Sequence, residues 1–113
     1  MPNMDELTAE DSKLLTLARS SAARINQTVG AAVRDGLGRT YASAAVDLPS
    51  LRLTALQAAV AQAAAAGADK LEAAVLFGTD SDEAGVAAVA DVTKTAPVYA
   101  VVKREITQIG TAV

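Results

Sequence analysis

Apolar positions along this chain change period several times, and each change marks an element. Thr8 is a good helix N-cap, with Asp11 three residues on as a weakened capping box. Leu14, Leu17, Ala18 and Ile25 then recur at helical spacing, which predicts a first helix to about Asn26. Gln27 to Arg34 turns β-like around Val29, Ala31 and Val33. Asp35-Gly36-Leu37-Gly38 reads as a tight turn, because glycine accepts the positive φ that hairpins require. Arg39 to Val46 is the return strand, stopped by Pro49. Leu51 to Ala66 reads as a second helix, closed by Gly67. Lys70 to Phe77 is a short, nearly continuous apolar strand, and Asp80-Ser81-Asp82-Glu83 opens a third helix that runs to about Thr93, with acid at its positive end. Val98 to Val102 follows Pro97 as a strand, and the tail from Arg104 to Val113 is either a short edge strand or a loose end. The order α-β-β-α-β-α-β, with one hairpin and later strands joined by helices, predicts an α/β fold of three α-β-α layers around a mixed sheet.

The second helix is unusual. Leu53, Leu56, Val60 and Ala63 line one face, yet the other faces are mostly alanine, with Gln57 and Gln62 the large polar groups. A helix apolar nearly all round is usually covered on both sides. In a chain of 113 residues the second cover is expected to be another subunit, so a homo-oligomer (dimer or tetramer) through the Leu51 to Ala66 helix is preferred over alanine serving only helix propensity.

Composition narrows the chemistry. The chain has no cysteine and no histidine. Disulfides, thiolate nucleophiles, imidazole acid–base groups and the usual nitrogen and sulfur ligands of zinc are therefore absent. Net charge is -3 and aromatics make up 3% of residues, so nucleic acid is not an expected partner. No apolar run is long enough to span a membrane, and Met1 to Glu6 lacks the apolar stretch of a signal peptide, so a soluble cytoplasmic protein is expected. About a quarter of the residues are alanine, which makes a lean core that gains from burial against a partner. One domain is expected, with a core over residues 8–103 and tails at 1–7 and 104–113.

Three stretches give a resemblance. Val29-Gly30-Ala31-Ala32-Val33 is similar to the VGAAL strand of the homotetrameric cytidine deaminases. Gly38-Arg39-Thr40-Tyr41 and Ala45-Val46-Asp47 fall without a gap on that family's G-R-x-Y…N-V-E return strand. Leu51 to Leu56 falls, after a short deletion, on its L-T-x-C-A-E helix start. The element order agrees as well, so the resemblance implies a cytidine deaminase-like fold.

The departures from the family pattern carry the functional expectation. The resemblance implies a zinc ion held by one ligand at the second helix and two thiolates at the third, with a glutamate moving the proton. Thr54 stands at the first ligand, Leu56 at the glutamate, and Ala84 and Ala87 at the two thiolates. The arginine after the glutamate is Gln57. In the substrate pocket Gln27 replaces the base-packing phenylalanine, Ala45 the ribose-contacting asparagine, and Asp47 the glutamate. No metal and no other cofactor is expected, and ordinary zinc-dependent deamination is not expected of this chain alone. The expected role is a non-catalytic scaffold or interaction module, with protein partners. The alternatives are a regulatory nucleoside or nucleotide binder using the remnant pocket of Gln27, Ala45, Asp47 and Thr54, and an accessory subunit of an active deaminase.

Other patterns favour structural readings. Asp80-x-Asp82, with Asp91 at the twelfth position, shadows a calcium loop, but its fifth position is apolar, so helix capping is preferred. Gly36-Leu37-Gly38 lacks the third glycine of a dinucleotide fingerprint. Lys94, Lys103, Arg104 and Glu105 read as a solvated sheet edge, and Asp47 as a cap for the turn before Pro49.

Overall fold

The computed structural model describes residues 7–110. Helix α1 spans Ala9–Arg24 and starts as expected, with Thr8 Oγ1 accepting from the Asp11 N–H at 3.1 Å. The Asp11 carboxylate does not return to the cap. It accepts instead from Arg34 Nη1 at 3.0 Å, and Arg34 Nε donates to Glu72 at 2.9 Å, which ties the helix to the sheet.

Strands β1 (Gly30–Asp35) and β2 (Thr40–Ala44) form the expected hairpin. Gly38 takes φ 85° in its turn. Asp35 holds the turn together: its buried carboxylate accepts from the N–H groups of Leu37 and Arg39, from Arg39 Nε at 2.7 Å and from the Tyr41 hydroxyl at 2.9 Å. Burial pushes this carboxyl up, but the donors of Tyr41, Arg39 and Leu37 outweigh it and hold it at about 2.

The next segment departs from the expectation. The return strand ends at Ala44, and residues 46–53 form a separate ribbon of β3 (Val46–Leu48) and β4 (Leu51–Leu53), turning at Pro49 and Ser50. Helix α2 accordingly covers Ala55–Ala65 rather than starting at Leu51, and Leu53 is not on it. The cause is local. Thr54 Oγ1 accepts from the Gln57 N–H at 3.0 Å, and Gln57 Oε1 accepts from the Thr54 N–H at 2.9 Å, so a full capping box fixes the helix start.

Strand β5 (Leu71–Phe77), helix α3 (Glu83–Val92) and strand β6 (Val98–Val102) lie close to their expected positions. The tail is a strand: β7 (Glu105–Gly110) pairs antiparallel with β6 through a turn in which Lys103 (φ 49°) and Arg104 (φ 71°) are both left-handed, as a two-residue hairpin demands. The five-stranded sheet runs β2-β1-β5-β6-β7, with β5 and β6 parallel and every other pair antiparallel.

Alternation along the strands makes two cores. Leu14 and Ala18 of α1 pack on Ala32, Ala73, Val75 and Val101. Leu56, Ala59, Val60 and Ala63 of α2, with Val89 of α3, pack on Ala31, Val33, Ala74, Leu76, Val98 and Ala100 of the opposite face. The three-layer α/β architecture with a mixed sheet follows. Within the chain α2 is covered by β1, β2 and α3, which leaves Ala61, Ala64 and Ala65 exposed. Among the described residues no helix is long and apolar enough to cross a membrane.

Candidate functional site

An open cleft of roughly 680 Å³ lies where the first turns of α2 and α3 meet, beyond the carboxyl end of β5. Gln27, Ala45 and Thr54 form one wall, and Ser81, Asp82, Glu83 and Ala84 the other. A helix N-terminus offers free N–H groups and a positive dipole end, which makes such a place a natural ligand site. Here both ends are met by the chain's own side chains. Thr54 and Gln57 cap α2 reciprocally, and Asp82 Oδ1 accepts from the Gly85 N–H at 2.8 Å to cap α3.

Beneath the cleft the two helices cross closely. Leu56 is fully buried at the crossing. A Cβ added at Gly85 would lie 2.6 Å from Leu56 Cβ and 2.5 Å from Asp82 Oδ2, so only glycine allows this approach. Gly85 is thus the α3 position turned toward Leu56, with the carboxylate of the N-cap Asp82 beside it. Ala84 and Ala87 are both exposed. Ala84 reaches the cleft wall, whereas Ala87 faces a neighbouring hollow with Val86, Ala90 and Ile109.

Of the residues singled out for a remnant pocket, Gln27, Ala45 and Thr54 do come together. Asp47 does not. It sits on β3 with its side chain 83% exposed and pairs across the ribbon with Arg52 Nε at 3.2 Å. The cross-strand register sets these two opposite each other, which replaces both the pocket role and the turn-cap role expected of Asp47. The carboxylates of Asp82 and Glu83 and the hydroxyl of Ser81 on the opposite wall were not anticipated as pocket groups. Their signal was present in the run Thr79 to Glu83, read only as a helix start.

Residues 7–105 match the family model described as cytidine deaminase-like. The chain belongs to that family. Its fold is similar to the cytidine deaminase from Burkholderia pseudomallei, with a TM-score of 0.75 at 18% identity over 92% of this chain and 93% of that one. It is also similar to the cytidine deaminase from Mycobacterium leprae, with a TM-score of 0.69 at 15% identity over 90% and 95% of the two chains. Among curated proteins no sequence matches.

The resemblance to cytidine deaminases raises the question of zinc, and the donors of this deaminase-like domain do not fit it. Zinc sites are built from thiolate, imidazole and carboxylate, with three protein ligands in catalytic centres. The chain holds no Cys or His, and among the described residues no group of three or more Asp or Glu converges. At the crossing of α2 and α3 the side chains are an aliphatic Leu56, a hydroxyl already accepting a cap bond at Thr54, and a carboxylate already accepting another at Asp82. Thr54 and Asp82 thus offer two oxygen groups, each holding a helix cap, where a catalytic zinc takes three protein ligands.

Proposed function

We propose that this cytidine deaminase-like protein performs no zinc-dependent deamination and acts as an oligomeric scaffold or interaction module. The observation that carries this reading is Leu56, fully buried against Gly85 at the point where the resemblance implies the proton-moving glutamate. An aliphatic side chain neither accepts nor donates a proton. The closed crossing also substitutes packing for whatever a metal would contribute there. A lean, alanine-rich core is consistent with further burial against other chains.

The test is zinc content together with solution mass on protein purified without added chelator. The reading expects zinc far below one ion per chain and a mass of two or more chains. One zinc per chain, or cytidine turnover by the pure protein, would overturn it.

A second reading is favoured by one observation, that Gln27, Ala45 and Thr54 line one open cleft. A neutral nucleoside fits this wall better than a nucleotide, whose phosphates would meet Asp82 and Glu83. Thermal shift against a nucleoside panel checks it: a ligand at about 100 times its Kd adds roughly 2.7 kcal/mol, and no shift with any member discards it.

A further inference from the structure

The sheet has two edges, and the chain treats them differently. At β2 the helices α1 and α2 flank the strand. Gln62 Nε2 donates to the Ala42 carbonyl at 3.1 Å and Ser43 Oγ to the Ala44 carbonyl at 2.7 Å. Strand β7 pairs with β6 alone. A free edge is commonly guarded by charge or proline. The basic groups expected to guard this one stand elsewhere, Lys103 and Arg104 in the turn and Lys94 just past the end of α3. From Ile106 to Gly110 the strand carries neither charge nor proline. The hairpin closes on the pair Val102 and Glu105, so alternation turns the N–H and C=O groups of Ile106 and Gln108 outward. The register shift falls beyond Gln108 and leaves this stretch regular.

A groove adjoins the edge on one face. Helix α3 closes onto α2 at Gly85 and turns a stripe of Glu83, Val86 and Ala90 toward the end of β7, with Lys94 following in line. Two hollows of about 190 and 370 Å³ run together there over Val86, Ala90 and Ile109. The middle of the groove is apolar. Asp82 and Glu83 stand at one end and Lys94 at the other, and Lys94 has no ion-pair partner among the described residues.

We infer that β7 takes an extended peptide segment of another protein as an added strand. Main-chain hydrogen bonds to Ile106 and Gln108 hold the segment, and every second side chain enters the groove beside α3. Hollows of this size take small aliphatic groups such as Val or Ala. A basic residue toward Asp82 and Glu83 and an acidic residue toward Lys94 set the direction of the segment. A second copy of β7 is a poorer occupant, because Glu105–Gly110 holds no basic residue and no alternation of aliphatic groups. This inference rests on the reading of the chain as an interaction module and gives that module its mode of recognition.

The experiment is selection of random short peptides from a display library against the full chain, with binding of the winners measured by fluorescence anisotropy. Enriched peptides are expected to alternate small aliphatic residues with others, with a base at one end and an acid at the other. Gln108→Pro removes only an outward N–H, and Ala90→Arg fills the groove. Each is expected to abolish binding with the far-UV circular dichroism unchanged. Lys94→Glu is expected to select peptides with a base in place of the acid at that end, a change that loss of fold does not produce. Peptides without this pattern, binding that survives both Gln108→Pro and Ala90→Arg, or no enrichment at all would overturn the inference. Those results would leave the zinc and mass tests of the module reading standing. A wild-type oligomer that Gln108→Pro dissociates in sedimentation would give the edge to a second copy and overturn the peptide.

Discussion

Gly85→Ala is the sharpest perturbation of the α2–α3 crossing. The added Cβ would sit 2.6 Å from Leu56 Cβ and 2.5 Å from Asp82 Oδ2. Carbon atoms in ordinary contact are about 3.5–4.0 Å apart, so the intrusion is on the order of 1 Å. Leu56 cannot escape by changing rotamer, because Cβ is fixed to the backbone of α2. Overpacking of this kind costs about 1–3 kcal/mol. Moving Asp82 aside endangers the α3 cap, worth about 1 kcal/mol. Against these stands the better helix propensity of alanine, about 1 kcal/mol. The net expectation is a loss of about 1–3 kcal/mol, or a Tm lower by roughly 4 °C per kcal/mol in a domain of this size. The reverse change on the exposed side of the same helix, Ala87→Gly, isolates propensity and is expected to cost about 1 kcal/mol. Urea unfolding monitored by circular dichroism measures both. A Gly85→Ala variant as stable as the wild type, or more so, would refute the closed crossing.

Other outcomes follow from the same structure. Thr54→Ala removes one half of the α2 capping box and is expected to cost about 1 kcal/mol in urea unfolding, with the cleft wall otherwise intact. Arg34→Met breaks the link between α1 and β5 and leaves the buried Asp11 carboxylate without its partner; a loss of about 1–3 kcal/mol is expected, whereas Arg52→Met on the exposed ribbon pair is expected to change stability by less than about 0.5 kcal/mol. Asp35 titrates at about 2 in the folded protein against the ordinary 3.8, so its contribution is complete above 3.8 and is lost as the pH falls toward 2. Denaturation midpoints measured down this range are expected to fall in the wild type. The Asp35→Asn variant is expected to start lower at neutral pH and to lack that part of the acid decline.

Much of the fold was legible in the pattern of apolar residues. The run Leu71 to Phe77 and the run Val98 to Val102 are too short and too rich in aliphatic residues for anything but buried strands, and the structure has them there. The ribbon was not legible, because Leu51-Arg52-Leu53 suits a strand by alternation and also extends the helical spacing of Leu53, Leu56 and Val60. The deciding signal was Thr54-x-x-Gln57, a capping box that starts the helix at Ala55, four residues later than the apolar spacing does. Strand β7 was ambiguous for a different reason. Ile106 and Ile109 are three apart and cannot share a face of a regular strand. They fall on opposite faces, as a strand places residues three apart, with Ile106 packing toward α1 and Ile109 toward α3, so no single apolar face marks the strand in the sequence. At the site, the gathering of Gln27, Ala45 and Thr54 in one cleft was implied by the resemblance to the cytidine deaminases. The inward position of Gly85 depends on how α3 is rotated over Leu56, which one-dimensional spacing does not carry.

Zinc content of the purified chain, determined by elemental analysis after growth in zinc-replete medium, tests the central claim most directly. The account predicts far less than one zinc per chain, because the chain has no Cys or His and no group of three or more Asp or Glu gathers among the described residues. A stoichiometry near one zinc per chain that survives extensive dialysis would contradict it.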